Sequence, residues 1–149
     1  MSAPVNDLHL YHWYGLDSRT DYRTECLLYV GKSIRPPSVR MGEHLDGKPW
    51  ADIYTRHERD PRGFRDEAAL GRAEEDTIRR RRPLCNDCFN RDNPDRIDWD
   101  EQVWQRWVRD DAAGRPRWQP NGRHGRAAGA PRRSVARPAR RQMPRWARR

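Results

Sequence analysis

The chain has 149 residues, a formal net charge of +9, and slightly more charged than hydrophobic residues, 36% against 34%. This length suits one domain, and the weakly hydrophobic composition predicts a compact part joined to an unstructured part. No apolar run approaches the roughly eighteen residues that span a bilayer, and no secretory signal opens the chain. Three cysteines do not suggest a disulfide framework. We therefore expect a cytoplasmic protein that is not associated with a membrane.

Strands are predicted in the first half of the chain. Residues 8–14 alternate in the strand manner, the polar stretch 15–24 suits a long hairpin loop, and residues 26–30 supply a second apolar strand. A third strand is expected at residues 50–56, where the alternation is poorer.

Two helices complete the predicted domain. Consecutive prolines can stand only at the start of a helix, and this helix is expected to run over about residues 38–45. A second helix, over about residues 65–82, is rich in Ala, Glu and Arg and is ended by a proline. Leu70, Glu74 and Ile78 recur in it at every fourth position. One carboxylate is therefore expected on the buried stripe, while its acidic neighbours turn to solvent.

The region after the domain, residues 91–111, is interpreted as a short amphipathic helix or linker. Trp99, Val103 and Trp107 align at four-residue spacing in a helix expected to run to about residue 109. Such a stripe favours docking against the core over stacking on nucleic-acid bases.

Residues 112–149 are expected to form a disordered, arginine-rich tail, since Pro, Gly and Arg dominate and no period survives. The tail carries twelve arginines and no acid; because the whole chain is +9, residues 1–111 are left at about −3. A cationic arm of this kind binds nucleic acid without reading its sequence. The alternative is a solvated tail in an arginine-biased chain. The arginines expected to contact nucleic acid are Arg115, Arg117, Arg132, Arg133, Arg140 and Arg141.

Two predicted strands carry tyrosine motifs, HLYHW at residues 9–13 and LYVGK at residues 28–32, and both resemble motifs of the GIY-YIG nuclease family. Tyr11, in HLYHW, matches the tyrosine of the first motif, although His9 and Leu10 replace its glycine and isoleucine. LYVGK, residues 28–32, is similar to the second motif, with Tyr29 as its tyrosine. Either motif alone arises readily by chance.

Three further motifs, in the same order as in that family, follow on the predicted helices. Arg40 and His44 match its Arg-x-x-x-His, Glu74 matches the glutamate of its metal-binding helix, and RPLCN, ending at Asn86, is similar to its closing Arg-Pro-x-x-Asn. The resemblance places all four residues among the candidate catalytic residues.

The resemblance implies an α/β (α+β) domain over residues 7–90, with a small three-stranded antiparallel sheet flanked by helices. It also implies a metal-dependent endonuclease that hydrolyses phosphodiester bonds in DNA. The competing expectation is a non-catalytic nucleic-acid-binding module with the same fold, and RNA is a possible partner because arginine-rich arms also bind RNA. Cys85 and Cys88 have the spacing of half a zinc site, which lacks its second half.

The implied roles follow the needs of phosphodiester hydrolysis, which develops negative charge on the phosphate and the leaving oxygen. Glu74 would hold Mg²⁺ or Mn²⁺, and Arg40 would offer a bidentate fork to the scissile phosphate. Lys32 would favour deprotonation of a neighbouring tyrosine or contact phosphate. The general base would be Tyr29 or Tyr11, with assistance from His44, and the residues leave that choice open.

Each candidate also has an ordinary structural interpretation. Tyr11 and Tyr29 on adjacent strands can be a cross-strand aromatic pair, and Arg40 and Glu74 can be an ion pair between two helices. Asn86 can be a residue that ends a helix, His44 can extend to solvent from a helix end, and Lys32 can be an ordinary loop lysine.

Overall fold

The computed structural model describes residues 8–35, 39, 42, 43, 45 and 47–120. The described residues between 39 and 47 are helical, where the sequence predicts the first helix. No helix within the described ranges is long and apolar enough to cross a membrane. The elements are β1 (His9–Leu16), β2 (Glu25–Ser33), β3 (Tyr54–Arg59), α1 (Glu67–Arg81), α2 (Trp99–Ala112), and 3-10 helices at Ser18–Thr20 and Pro49–Ile53.

The three strands form one antiparallel sheet in the order β2-β1-β3, which confirms the predicted α+β class. β1 is the central strand, and every residue from His9 to Gly15 is buried, so both of its faces are covered. In the register of β1 and β2, Tyr11 lies opposite Gly31 and Trp13 lies opposite Tyr29. The two tyrosines are therefore not a directly opposed pair.

Each face of the sheet carries its own apolar core. One core packs α1 against the sheet, and its buried members are Leu10, Val30, Phe64, Leu70 and Ile78. The other lies under the Pro49–Ile53 turn and the segment that follows α1, and its buried members are Tyr11, Trp13, Leu28, Trp50, Ile53, Leu84, Cys85 and Ile97. Residues that alternate along β1 divide between the two cores, as strand geometry requires.

The third strand differs from its prediction at residues 50–56. Pro49 has no N–H for a strand ladder and opens a 3-10 helix instead, and Trp50 and Ile53 turn their side chains into the core. β3 begins only at Tyr54. The prediction of a strand from residue 50 is therefore wrong, because the large apolar side chains of residues 50–53 are buried from a helical turn.

The segment between the two helices, residues 82–98, contains neither helix nor strand. Buried side-chain amides satisfy several of its carbonyl groups. Asn90 Nδ2 donates to the oxygens of Pro83 and Asn86 at 2.7 and 2.9 Å, and Gln102 Nε2 donates to that of Ile97 at 2.7 Å. We call this segment the amide-clamped loop, because these side-chain amides pair several of its backbone carbonyls.

Residues 113–120 lie against α2, although the sequence predicts disorder from residue 112. The Trp118 N–H donates to the fully buried carboxylate of Asp110 at 2.8 Å, and Trp107 Nε1 donates to the Trp118 oxygen at 2.8 Å. Composition favoured a solvated chain here, but one tryptophan with two hydrogen bonds holds the segment in place.

Candidate active site

Glu74 occupies the position that its spacing predicts. Leu70 and Ile78, one helical turn to either side, are fully buried against the sheet. The Glu74 side chain is 17% exposed, whereas those of Glu75 and Asp76 are 42% and 67% exposed. The helical period of 3.6 residues accounts for this difference, and it leaves one carboxylate at the edge of the interface between α1 and the sheet.

A lysine from the neighbouring strand lies beside this carboxylate. Lys32 Nζ is 3.6 Å from Glu74 Oε2, and the lysine side chain is about half exposed. The two groups come from β2 and α1, which pack together. The pair places a mobile cation and a mostly buried anion at one point of the surface.

Glu74 lines two neighbouring pockets. The first has a volume of about 220 Å³ and is also lined by Tyr29 and Asn86. Lys48, Trp50, Asp87 and Trp99 also line it. The second pocket, of about 310 Å³, is formed by Glu74, Glu67 and residues 32–35 at the end of β2. Glu74 is therefore reachable from both sides.

The two candidate tyrosines have different surroundings. Tyr29 is partly buried on the wall of the 220 Å³ pocket, where Lys48 Nζ is 4.8 Å from the centre of its ring. Tyr11 is only 5% exposed and packs in the core, with its ring edge-on to His57 at 6.1 Å. Of the two phenols, Tyr29 shares a pocket with Glu74.

Asn86 serves the fold. Its side-chain oxygen accepts a hydrogen bond from the Val30 N–H at 2.8 Å, and its Nδ2 donates to the Val30 oxygen at 2.9 Å. Just before it, the Cys85 N–H donates to the Leu28 oxygen at 2.7 Å. The side chain imitates a strand residue and holds the amide-clamped loop against the outer edge of β2.

Several predicted residues lie outside the described residues. These are Arg40, His44, Arg132, Arg133, Arg140 and Arg141. Two tail arginines are described, and both face carboxylates. Arg115 Nε donates to Asp110 at 3.1 Å, and Arg117 Nη2 donates to Asp111 at 2.8 Å, so their charges are partly neutralised within the molecule.

Glu74 and Asp87 are the two carboxylates on the wall of the 220 Å³ pocket. No group of three or more His, Cys, Asp or Glu side chains suited to a metal occurs among the residues that the structure describes. Mg²⁺ keeps several of its waters and is often held by one or two carboxylates together with phosphate oxygens. Glu74 and Asp87, both on the pocket wall, suit that kind of binding.

The half zinc site does not gain further ligands in the described part of the chain. Cys85 is buried, and burial raises the pKa of its thiol, which disfavours the thiolate that zinc requires. Cys88 is exposed, and Cys26 lies on β2.

Sequence reasoning missed several residues on the pocket wall. Trp50 lies in the Pro49–Ile53 turn, where the sequence predicts a strand from residue 50, and Lys48 directly precedes that turn. Asp87 lies in the amide-clamped loop. Trp99 was assigned to a docking stripe. Only its position at the very start of the helix, where a side chain extends past the packed face, could have indicated exposure.

No protein-family model matches the chain, and no curated protein or solved structure shows significant similarity to it. The likeness to GIY-YIG nucleases therefore rests on the residues quoted above.

Proposed function

We propose that this chain is a metal-dependent endonuclease that hydrolyses phosphodiester bonds in DNA, in the manner of GIY-YIG nucleases. The observation that carries the proposal is the position of Glu74, a mostly buried carboxylate that lines two pockets and has a lysine ammonium 3.6 Å from its oxygen. An acid held at a concave surface, with a cation and a phenol nearby, is the minimum that this reaction asks of a protein.

Glu74 and Asp87 would hold one Mg²⁺ or Mn²⁺, which supplies Lewis-acid stabilisation of the phosphate charge when bound. Tyr29 is the described phenol that shares the pocket with Glu74, so it is the better candidate to accept a proton from the attacking water. Lys32, half exposed, is long enough to leave Glu74 and contact a phosphate oxygen. In the absence of substrate, Lys32 neutralises the carboxylate.

Affinity for DNA would come from the carboxyl-terminal arginines. Residues 121–149 contain ten arginines and no acidic residue. Cationic side chains release counterions from the polymer, so binding should weaken steeply as salt is raised. Arg115 and Arg117 would contribute less, because each already contacts an aspartate.

A non-catalytic nucleic-acid-binding module is the second candidate. It is favoured by the surroundings of two candidate catalytic residues, since Tyr11 packs in the core and the Asn86 amide is occupied by the Val30 backbone. Those two residues serve the fold in either case.

The deciding experiment is nicking of supercoiled plasmid by purified wild type, Glu74→Gln and Glu75→Gln, each with Mg²⁺, with Mn²⁺ and with EDTA. Glu75→Gln is the matched control because that acid is on the same helix, exposed, and paired with Arg79. We expect wild type and Glu75→Gln to nick only with metal. Glu74→Gln should lose roughly a hundredfold in rate or more, since removal of even one preorganised hydrogen-bond donor from an active site has an effect on that scale.

Two outcomes would contradict the proposal. If wild type binds DNA but nicks with neither metal, the chain is a binding module. If Glu74→Gln, folded by circular dichroism, nicks as fast as wild type, the activity lies elsewhere.

A further inference from the structure

Trp99 is a large aromatic side chain that remains exposed at the Glu74 pocket. It begins α2, is 37% exposed, and lines the same pocket as Glu74 and Tyr29. Within the same helix, Val103 and Trp104 are buried, as a docking face requires. Its indole therefore offers an apolar ring and a polar N–H at the wall of a concave site.

The rest of the pocket combines aromatic rings with polar groups. Tyr29 and Trp50 lie on its wall with their ring centres 5.7 Å apart, and the Lys48 ammonium lies over the Tyr29 ring. The Lys48 ammonium is the polar group available to a base edge, since Glu74 and Asp87 are assigned above to the metal and Gln102 Nε2 donates to the Cys85 and Ile97 oxygens. A nucleobase presents the matching surfaces, a flat apolar face and a polar edge.

The volume of the pocket sets how much of a nucleic acid can enter. Its 220 Å³ is less than the roughly 300–1,000 Å³ of pockets for drug-sized ligands, so it suits a group as small as one base. In a duplex both faces of each base are covered by its neighbours. A base can enter only if it is unpaired or is first extruded from the stack.

The arginine-rich stretch of the sequence follows shortly after a residue that contacts Trp99. Trp118 contacts Trp99, with ring centres 6.1 Å apart. Two hydrogen bonds fix Trp118 there: its backbone N–H donates to Asp110, and its backbone oxygen accepts from Trp107 Nε1. Residue 121, the first of the stretch with ten arginines, follows Trp118 by three positions. The described chain therefore leads into the arginine-rich stretch from a residue that contacts Trp99.

From these observations we propose that the pocket binds one unpaired nucleobase, stacked on Trp99. The substrate class of the proposed nuclease is then DNA with a single-stranded segment, such as an overhang or flap, beside the cleaved bond. This inference rests on the proposed function for the position of the cleaved bond, but base binding itself does not need turnover.

Binding is measured by fluorescence anisotropy in EDTA, with the full-length chain. The probes are a labelled oligothymidylate of about ten nucleotides and a blunt hairpin duplex with the same number of phosphates. Trp99→Ala should weaken binding of the single strand by about tenfold, the scale of one base–aromatic stack, and leave duplex binding unchanged. Trp99→Phe should restore most of the affinity. Phe89→Ala is the control, because Phe89 is equally exposed but lies on the amide-clamped loop near Arg79.

Equal effects of Trp99→Ala on both probes, or no effect on either, would overturn the proposal. If that variant does not fold, quenching of wild-type tryptophan fluorescence by the oligothymidylate, reduced in Trp99→Phe, tests the same stack. The nuclease proposal alone fails if the protein binds the single strand more tightly than the duplex and Trp99→Ala weakens that binding, but the wild type does not nick plasmid. Conversely, nicking that depends on Glu74 without any preference for the single strand would refute the base pocket alone.

Discussion

Replacing Asn86 with alanine separates a structural role from a catalytic one. Asn86 is 4% exposed, and its amide makes two hydrogen bonds with the Val30 backbone, at 2.8 and 2.9 Å. Val30 is fully buried in the core under α1. Alanine would leave one buried N–H and one buried C=O of β2 without these partners.

The magnitude follows from the cost of unpaired buried polar groups, about 1–3 kcal/mol each. Because Asn86 also lines the pocket, water can reach part of the vacated space, and we expect a loss of about 2–4 kcal/mol of unfolding free energy. For a domain of this size, each kcal/mol lowers the melting temperature by about 4–8 °C. Urea denaturation gives the free energy directly, and the slope with urea should stay unchanged.

The nicking rate completes the test. At a temperature where Asn86→Ala is folded, the rate per folded molecule should fall only modestly, through displacement of the loop that carries Asp87. A variant with wild-type stability but no nicking would refute the structural assignment and make Asn86 a catalytic group. Asp92→Ala, an exposed change on the same loop, is the control for effects on the loop in general.

Two further predictions concern the fold. Gly15→Ala should destabilise the domain by about 1–3 kcal/mol, because a Cβ there would lie 2.5 Å from the Ile53 oxygen, whereas Gly63→Ala, with nothing within 4 Å, should be nearly neutral in the same urea titration. Acid should destabilise the protein through Asp60: a hydrogen bond from the Arg62 side chain is the largest influence and holds the pKa of the Asp60 carboxyl well below its usual range. That stabilisation is present above about pH 4 and is lost as pH falls further, and Asp60→Asn should reduce the fall in urea midpoint between pH 5 and pH 3.

The positions of Glu74 and of the first two strands could be predicted from local periodicity. Leu70 and Ile78 define a stripe by their spacing alone, and alternation in residues 8–14 follows from the two-residue period of a strand. Both signals depend only on neighbours in the chain. These patterns can therefore be recognised without knowledge of the tertiary contacts.

The pocket walls could not be predicted in this way, because they depend on contacts between distant residues. Asn86 bonds to a strand 56 residues away, and its motif gives no sign that the amide is used for support. Trp118 is a comparable case, since an arginine-rich composition predicts solvation while two specific hydrogen bonds fix the segment. In each case two specific hydrogen bonds override the average character of the surrounding sequence.

The location of the pocket explains how groups from both faces of the sheet can share it. Tyr29 faces the core under the Pro49–Ile53 turn, whereas Lys32 and Glu74 lie on the face covered by α1. A sheet separates side chains on its two faces, and they can approach one another only around an edge. β2 is an edge strand of this sheet, and residues 84–86 cover its outer edge through backbone and amide bonds. The same loop that closes the edge therefore supplies the pocket wall, so any change that loosens it should alter the site before it unfolds the core.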